Sequence, residues 1–104
     1  MTETLELSPR GMAENATDAA ALMKALAHEG RLMILCHLAS EAELSVGALE
    51  DLLDKRQAAV SQLLSRLRDD RLVVARREGK TVYYSLADGP AKQILGTLHD
   101  IYCA

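Results

Sequence analysis

Apolar residues recur along most of this chain at intervals of three and four, the period of helices that bury one face. Ala16, Ala19, Ala20, Leu22, Met23 and Leu26 form the first stripe and predict a helix over 15–27, with Asn15 or Thr17 as its cap. Leu32, Leu35, Cys36 and Leu38 predict a second over 30–39, after which residues 41–44 read as a turn. Ser45 supplies the side-chain oxygen an N-cap needs, and Val46, Leu49, Leu52 and Leu53 give a third, short helix its buried face. Residues 54–56 form a tight connection into a fourth helix over 57–69, with Val60, Leu63, Leu64 and Leu67 turned inward.

The period then changes. Residues 72–77 and 81–86 are β-branched and aromatic runs separated by Glu78-Gly79-Lys80, the pattern of a β-hairpin. Asp88 is placed to cap a last helix running to Cys103, with Pro90 tolerated in its first turn. Ile94, Leu95, Leu98, Ile101 and Tyr102 make a stripe on that helix wider than one small core needs, which suggests a second subunit. The third and fourth helices, joined by three residues, match a helix-turn-helix unit. The expected fold is mainly α: five helices with a small β-hairpin wing before the last, a winged helix-turn-helix.

A chain of 104 residues fits one domain. Residues 1–14, polar and containing Pro9 and Gly11, read as a loosely ordered tail, and 15–104 as the folded domain. With three Tyr and neither Phe nor Trp, the core must be built from Leu, Ala, Val, Ile and Met, which favours helix. No run approaches the ~20 apolar residues of a membrane helix, and the first residues lack the basic and apolar regions of a signal peptide. Two cysteines are too few for a secreted disulfide framework, so a cytoplasmic location is expected.

Charge adds the first functional hint. The net charge is −3, yet residues 55–80 hold eight basic residues against three acidic ones. A basic island in an acidic protein is the footprint of phosphate contact, although a solvated mixed surface has the same composition. The exposed side of the fourth helix carries Gln57, Ala58, Ser61, Gln62, Ser65, Arg66 and Arg68. Short polar side chains and Arg are what a helix entering the major groove requires. The hairpin tip, Arg76 to Lys80 and with it Arg77, is placed to reach an adjacent phosphate or the minor groove. Double-stranded DNA is therefore the expected partner. There is no phosphate loop, metal-hydrolase motif or paired nucleophile and base to suggest an enzyme, and no cofactor is called for. A protein-interaction module that ignores DNA is the competing class.

Several segments resemble the ArsR/SmtB repressors: residues 26–35 (LAHEGRLMIL), 43–49 (ELSVGAL), 59–64 (AVSQLL) and 77–84 (REGKTVYY). The resemblance spans nearly all of the chain beyond the tail. It implies a homodimer, joined through its first and last helices, that represses transcription at a pseudo-palindromic operator until an inducer binds. Two positions depart from the family pattern. Leu63 stands where a His is common, and Arg71 stands in a turn where Gly is common.

The metal-sensing patterns of the family are missing: Ser45 and Gly47 replace a Cys-x-Cys pair, and Asp88 is followed by Gly89 and Pro90 rather than a His. What remains is Cys36 on the second helix and Cys103 at the end of the last. Taken alone, Cys36 reads as a small core residue sharing a face with Leu32 and Leu35. As a pair the cysteines resemble the persulfide- and polysulfide-responsive subgroup, in which a sulfur bridge between two such residues releases the repressor; reactive sulfur species would be the inducer. Direct peroxide or disulfide-stress sensing by the same thiols, a metal site from Cys36, His99 and Cys103, and constitutive DNA binding remain open alternatives.

Overall fold

In the computed structural model, which describes residues 4–103, the chain forms five helices and a three-stranded sheet. In chain order they are α1 (Pro9–Leu26), α2 (Glu29–Ser40), β1 (Leu44–Ser45), α3 (Val46–Leu53), α4 (Gln57–Asp69), β2 (Val73–Glu78), β3 (Thr81–Leu86) and α5 (Pro90–Cys103). No helix among the described residues is long and apolar enough to cross a membrane.

The core lies where α2, α3, α4 and the base of the hairpin meet. Ile34, Leu35, Leu49, Val60, Leu64 and Leu67 are its fully buried side chains, joined by Leu38, Tyr84 and Leu95 at the edges. The caps follow the local sequence. Ser45 Oγ accepts from Ala48 N at 3.1 Å and starts α3, and His28 Nδ1 accepts from Arg31 N at 3.3 Å and starts α2. Arg31 in turn donates from Nε to the Ala25 carbonyl at 2.8 Å and from a terminal nitrogen to the Lys24 carbonyl at 3.2 Å. It thereby closes the C-terminus of α1, where a cation also suits the helix dipole. Gly30, between these caps, is buried, and a Cβ there would lie 2.9 Å from Leu63 Cδ1. The 28–31 segment is thus a joint that fixes α1, α2 and α4 together.

Five expectations are corrected. The first helix begins at Pro9, not at 15, so residues 9–14 are helical rather than a loose tail; residues 1–3 of that tail lie outside the described residues. Ser8 Oγ caps Gly11 N at 3.1 Å, and Pro9 sits at the one helical position where its missing N–H costs nothing, so a presumed breaker is a starter. Asn15 and Thr17 consequently fall inside the helix instead of capping it. The expected turn at 41–44 ends in a short strand, because Leu44 and Ser45 pair with Tyr84 and Tyr83 and cover the free edge of β3. Leu52 is half exposed, since α3 turns Val46, Leu49 and Leu53 inward and leaves Leu52 on its flank. Finally, the residue preceding α5 is Gly89, so the cap position falls there and not on Asp88.

The hairpin itself pairs from Val73–Leu86 to Glu78–Thr81 around Gly79 and Lys80. Gly79 has φ +62°, the value a tight hairpin turn asks of its first central residue. Arg71 has φ +60°, so the position where the family pattern has Gly does take the left-handed conformation here with an Arg.

Candidate nucleic-acid interface and dithiol site

Burial of Val60, Leu64 and Leu67 dictates which way the rest of α4 faces. Gln57, Ala58, Ser61, Gln62, Ser65, Arg66 and Arg68 are all exposed, as the helical period requires. Ser61, Ser65 and Arg68 line a shallow groove of about 300 Å³ against Tyr84 of the hairpin, so the helix and the wing form one continuous surface. Arg66 donates to Asp70 Oδ2 at 3.2 Å, an exposed pair one turn apart of the kind worth well under ~1 kcal/mol and readily exchanged for a phosphate. Arg68, Arg77 and Lys80 make no ion pair among the described residues and are open to an anion.

Arg76 behaves differently from its neighbour. It donates through two nitrogens to both carboxylate oxygens of Glu43 and through the third to Glu78 Oε2 at 2.7 Å, and it lies 4.8 Å over the ring of Tyr83. The hydrogen bond from Arg76 holds the Glu43 carboxyl below the usual carboxylate range. The expectation that Arg76 reaches phosphate with the rest of the hairpin tip is thereby corrected: its charge is taken up by Glu43 and Glu78, and it ties the wing to the segment before β1. The basic charge available to a polyanion comes from Arg77 and Lys80. Sequence reasoning missed Glu43, whose partner is 33 residues away; nothing local signals it.

The second candidate site lies between α2 and α5. Cys36 is exposed, contrary to its reading as a core residue: α2 turns Ile34, Leu35 and Leu38 inward and leaves Cys36 facing α5. Cys103, in the last turn of α5, is exposed as well. The Cys36 thiol is pushed above the ordinary cysteine range, first by partial enclosure and then by the negative charge of a Cys103 thiolate. The two cysteines, 67 positions apart in the chain, stand on the two helices, α2 and α5, that wall a common groove. Beside Cys36, a groove of about 370 Å³ runs between α2 and α5, with His99 on its wall. Among the described residues, no three His, Cys, Asp or Glu side chains are grouped to hold a metal ion.

Comparison with known proteins identifies the family of the fold. The pattern described as "Bacterial regulatory protein, arsR family" matches residues 28–74. The chain is 44% identical over 99 residues to a biofilm growth-associated repressor of Agrobacterium fabrum, covering 95% of this chain and 84% of that protein. Among solved structures it is similar to the transcriptional repressor BigR from Xylella fastidiosa, with a TM-score of 0.88, 37% identity and coverage of 94% and 99% of the two chains. It is also similar to reduced HlyU from Vibrio cholerae, with a TM-score of 0.84, 44% identity and coverage of 91% and 99%.

Proposed function

This chain belongs to the arsR family of bacterial regulatory proteins, and from that premise we propose that it is a homodimeric transcriptional repressor that leaves its operator when Cys36 and Cys103 become joined through sulfur. DNA binding and transcriptional regulation come with the family. The finer reading is carried by one observation: the chain's two cysteines, both exposed, stand on α2 and α5, the two helices that wall one groove, with Cys36 lining it. The repressor and the reduced protein named among its relatives are in keeping with it.

In the reduced dimer, two copies of α4 enter successive major grooves of a pseudo-palindrome. Gln57, Ala58, Ser61, Gln62 and Ser65 meet base edges or backbone, and Arg66, Arg68, Arg77 and Lys80 meet phosphates. The dimer forms through α1 and α5, which expose Met12, Met23, Ile101 and Tyr102. The cytoplasm, where such thiols start reduced, is the fitting compartment.

The inducing chemistry balances without an outside oxidant. A cysteine thiolate attacks the outer sulfur of a persulfide, the carrier's S–S bond breaks, and the carrier thiol leaves with a proton. Repetition lengthens the sulfur chain. The second cysteine then attacks the sulfur next to the terminal one and expels it as hydrogen sulfide. A bridge consumes one more persulfide than the number of sulfurs it adds. Joining α2 to the end of α5 alters how the dimer-forming helix packs, and a hundredfold loss of DNA affinity needs only ~2.7 kcal/mol of coupling.

The test combines intact mass with a mobility assay. After exposure to glutathione persulfide, the reduced protein should gain about two sulfur atoms, close both cysteines to alkylation and lose DNA affinity. Loss of two hydrogens under both persulfide and hydrogen peroxide would instead mark a general disulfide switch, and no change under either would sink the sulfur reading. Cys36→Ser and Cys103→Ser should each bind DNA but ignore the inducer. Arg77→Ala should weaken binding at every sequence and lower the salt slope by about 1, whereas Arg76→Ala should leave that slope nearly intact.

A further inference from the structure

The tie between Arg76 and Glu43 sits where the wing loses its support. β3 is the middle strand, and β1 pairs with it only at Tyr84 and Tyr83. Beyond that level the hairpin projects alone, with Arg77 opposite Val82 and Glu78 opposite Thr81. A two-stranded ribbon without a third neighbour is marginally stable in water. Yet this is the part that carries Arg77 and Lys80.

Alternation along the strands divides the sheet into two faces. Arg76 stands opposite Tyr83 and Arg77 opposite Val82, so the two arginines are on different faces. Tyr84, opposite Ala75, shares the face of Arg77 and lines the groove with Ser61, Ser65 and Arg68 of α4. Arg77 is therefore on the α4 side of the wing and Arg76 on the outer side. There Arg76 lies 4.8 Å over the Tyr83 ring, crosses the middle strand and donates to both carboxylate oxygens of Glu43, from Nε to Oε2 at 3.2 Å. Glu78 accepts from the third nitrogen within the wing itself, so Glu43 is the partner that joins wing to body. An isolated exposed ion pair holds little. A bidentate carboxylate backed by a second acid and a ring is a network of fixed geometry.

We propose that Glu43 is a positioning residue for DNA binding: through Arg76 it straps the outer face of the wing and holds Arg77 and Lys80 in their DNA-contacting arrangement before DNA arrives. The inference rests on the reading of those two cations as phosphate contacts. Without the strap the same cations still reach the same phosphates, but the tip must be ordered on binding, and that cost is subtracted from the affinity. Affinity then falls while the number of phosphates neutralised, and with it the salt slope, stays the same.

The experiment measures binding to a mixed-sequence duplex about three helical turns long over a range of salt, because phosphate contact does not depend on sequence. Glu43→Gln and Arg76→Gln should each weaken binding about fivefold at an unchanged slope, and the double variant no further, since both open one link. With Arg77→Ala and Lys80→Ala already in place, adding Glu43→Gln should cost less than about twofold, because no wing contact is left to arrange. A fivefold loss that persists in that background would mean that Glu43 acts through the fold, and would overturn the proposal. So would unchanged affinity in both single variants, or tighter binding with a slope larger by about 1, which would show Glu43 shielding Arg76 from DNA. If Arg77→Ala with Lys80→Ala binds the duplex as wild type does, the phosphate reading of the wing fails. The strap is then judged in the free protein by amide relaxation. Lower order at residues 78–81 in Glu43→Gln, with α4 unaltered, supports it, and equal order overturns it.

Discussion

The two flanks of this molecule are built to different standards. On the reading side, α2, α3, α4 and the hairpin interlock so well that Ile34, Leu35, Leu49, Val60 and Leu67 have no exposure at all. On the other side, only Ala25 and Leu26 of the 18-residue α1 are buried, and α5 buries Ala91 and Leu95 near its start but leaves Ile101 and Tyr102 65% and 81% exposed at its end. Cys103 lies on that open side, and Cys36, exposed on α2, stands at its border in the groove facing α5. A regulator needs this division. The surface that reads DNA must be rigid before it meets its site, whereas the part that carries the signal must have a second arrangement within reach of a small energy. The flank whose apolar side chains lack partners within one chain is where the proposed sulfur bridge would alter packing without unfolding the reading head.

Breaking the core gives the largest expected effect and tests the division directly. Leu64→Ala should lower the unfolding free energy by about 3 kcal/mol, a typical cost for emptying a packed core site, at any protein concentration. Ile101→Asp should move the midpoint by an amount that depends on concentration, because what it loses is association rather than internal packing. Urea unfolding at two protein concentrations, read beside sedimentation, separates them. Equal, concentration-independent losses in both variants would mean that the end of α5 packs within the monomer, as Ala91 and Leu95 do nearer its start, and that the two flanks are not distinct.

How legible each flank was in the sequence follows from the same contrast. The helices of the reading side are amphipathic over whole turns, so Val60, Leu64 and Leu67 announce α4 and its exposed polar face. Ser45 announces the start of α3 by its own hydrogen bond, three residues long. What the sequence did not reveal depends on distance. Arg76 looks like one more cation on a basic hairpin until the fold brings Glu43 beside it. Cys36 shares a helical stripe with Leu32 and Leu35, yet the buried sector of α2 is centred on Ile34, Leu35 and Leu38, one position round. Pro9 was misread because a proline breaks a helix anywhere except where this one stands.

A smaller effect sits at the junction of the reading helix with the wing. Arg71 holds φ +60° between α4 and β2, a conformation that costs a residue with a Cβ about 1 kcal/mol. Its N–H donates to the Arg68 carbonyl at 2.9 Å, and Leu72 N donates to the Leu67 carbonyl at 2.9 Å, so the turn is fixed by the backbone whichever side chain it carries. Arg71→Gly should therefore stabilise the protein, by about 0.5 kcal/mol once the freer unfolded chain is allowed for. Thermal unfolding at fixed concentration measures it. A loss of stability would show that the Arg71 side chain supports the wing. The same variant removes a cation from the basic island, so a fall in DNA affinity without a fall in stability would place Arg71 among the phosphate contacts.

The smallest effect concerns the open flank and reads the neighbourhood of the two thiols without any inducer. Enclosure by the groove walls and the charge of Cys103 both push the Cys36 thiol up. A thiol of raised pKa holds less thiolate at neutral pH, so alkylation of Cys36 should rise at higher pH than that of a free cysteine. Cys103→Ser deletes one of the two causes and leaves the other. The alkylation profile of Cys36 should then move back toward lower pH, yet stop short of the free-cysteine profile, because the groove still disfavours the charged form. The signature is the direction of the shift, followed residue by residue with a mass-tagged alkylating agent across the alkaline range. A profile indifferent to Cys103→Ser would separate the two sulfurs, and with them the bridge that the sensing flank is proposed to form.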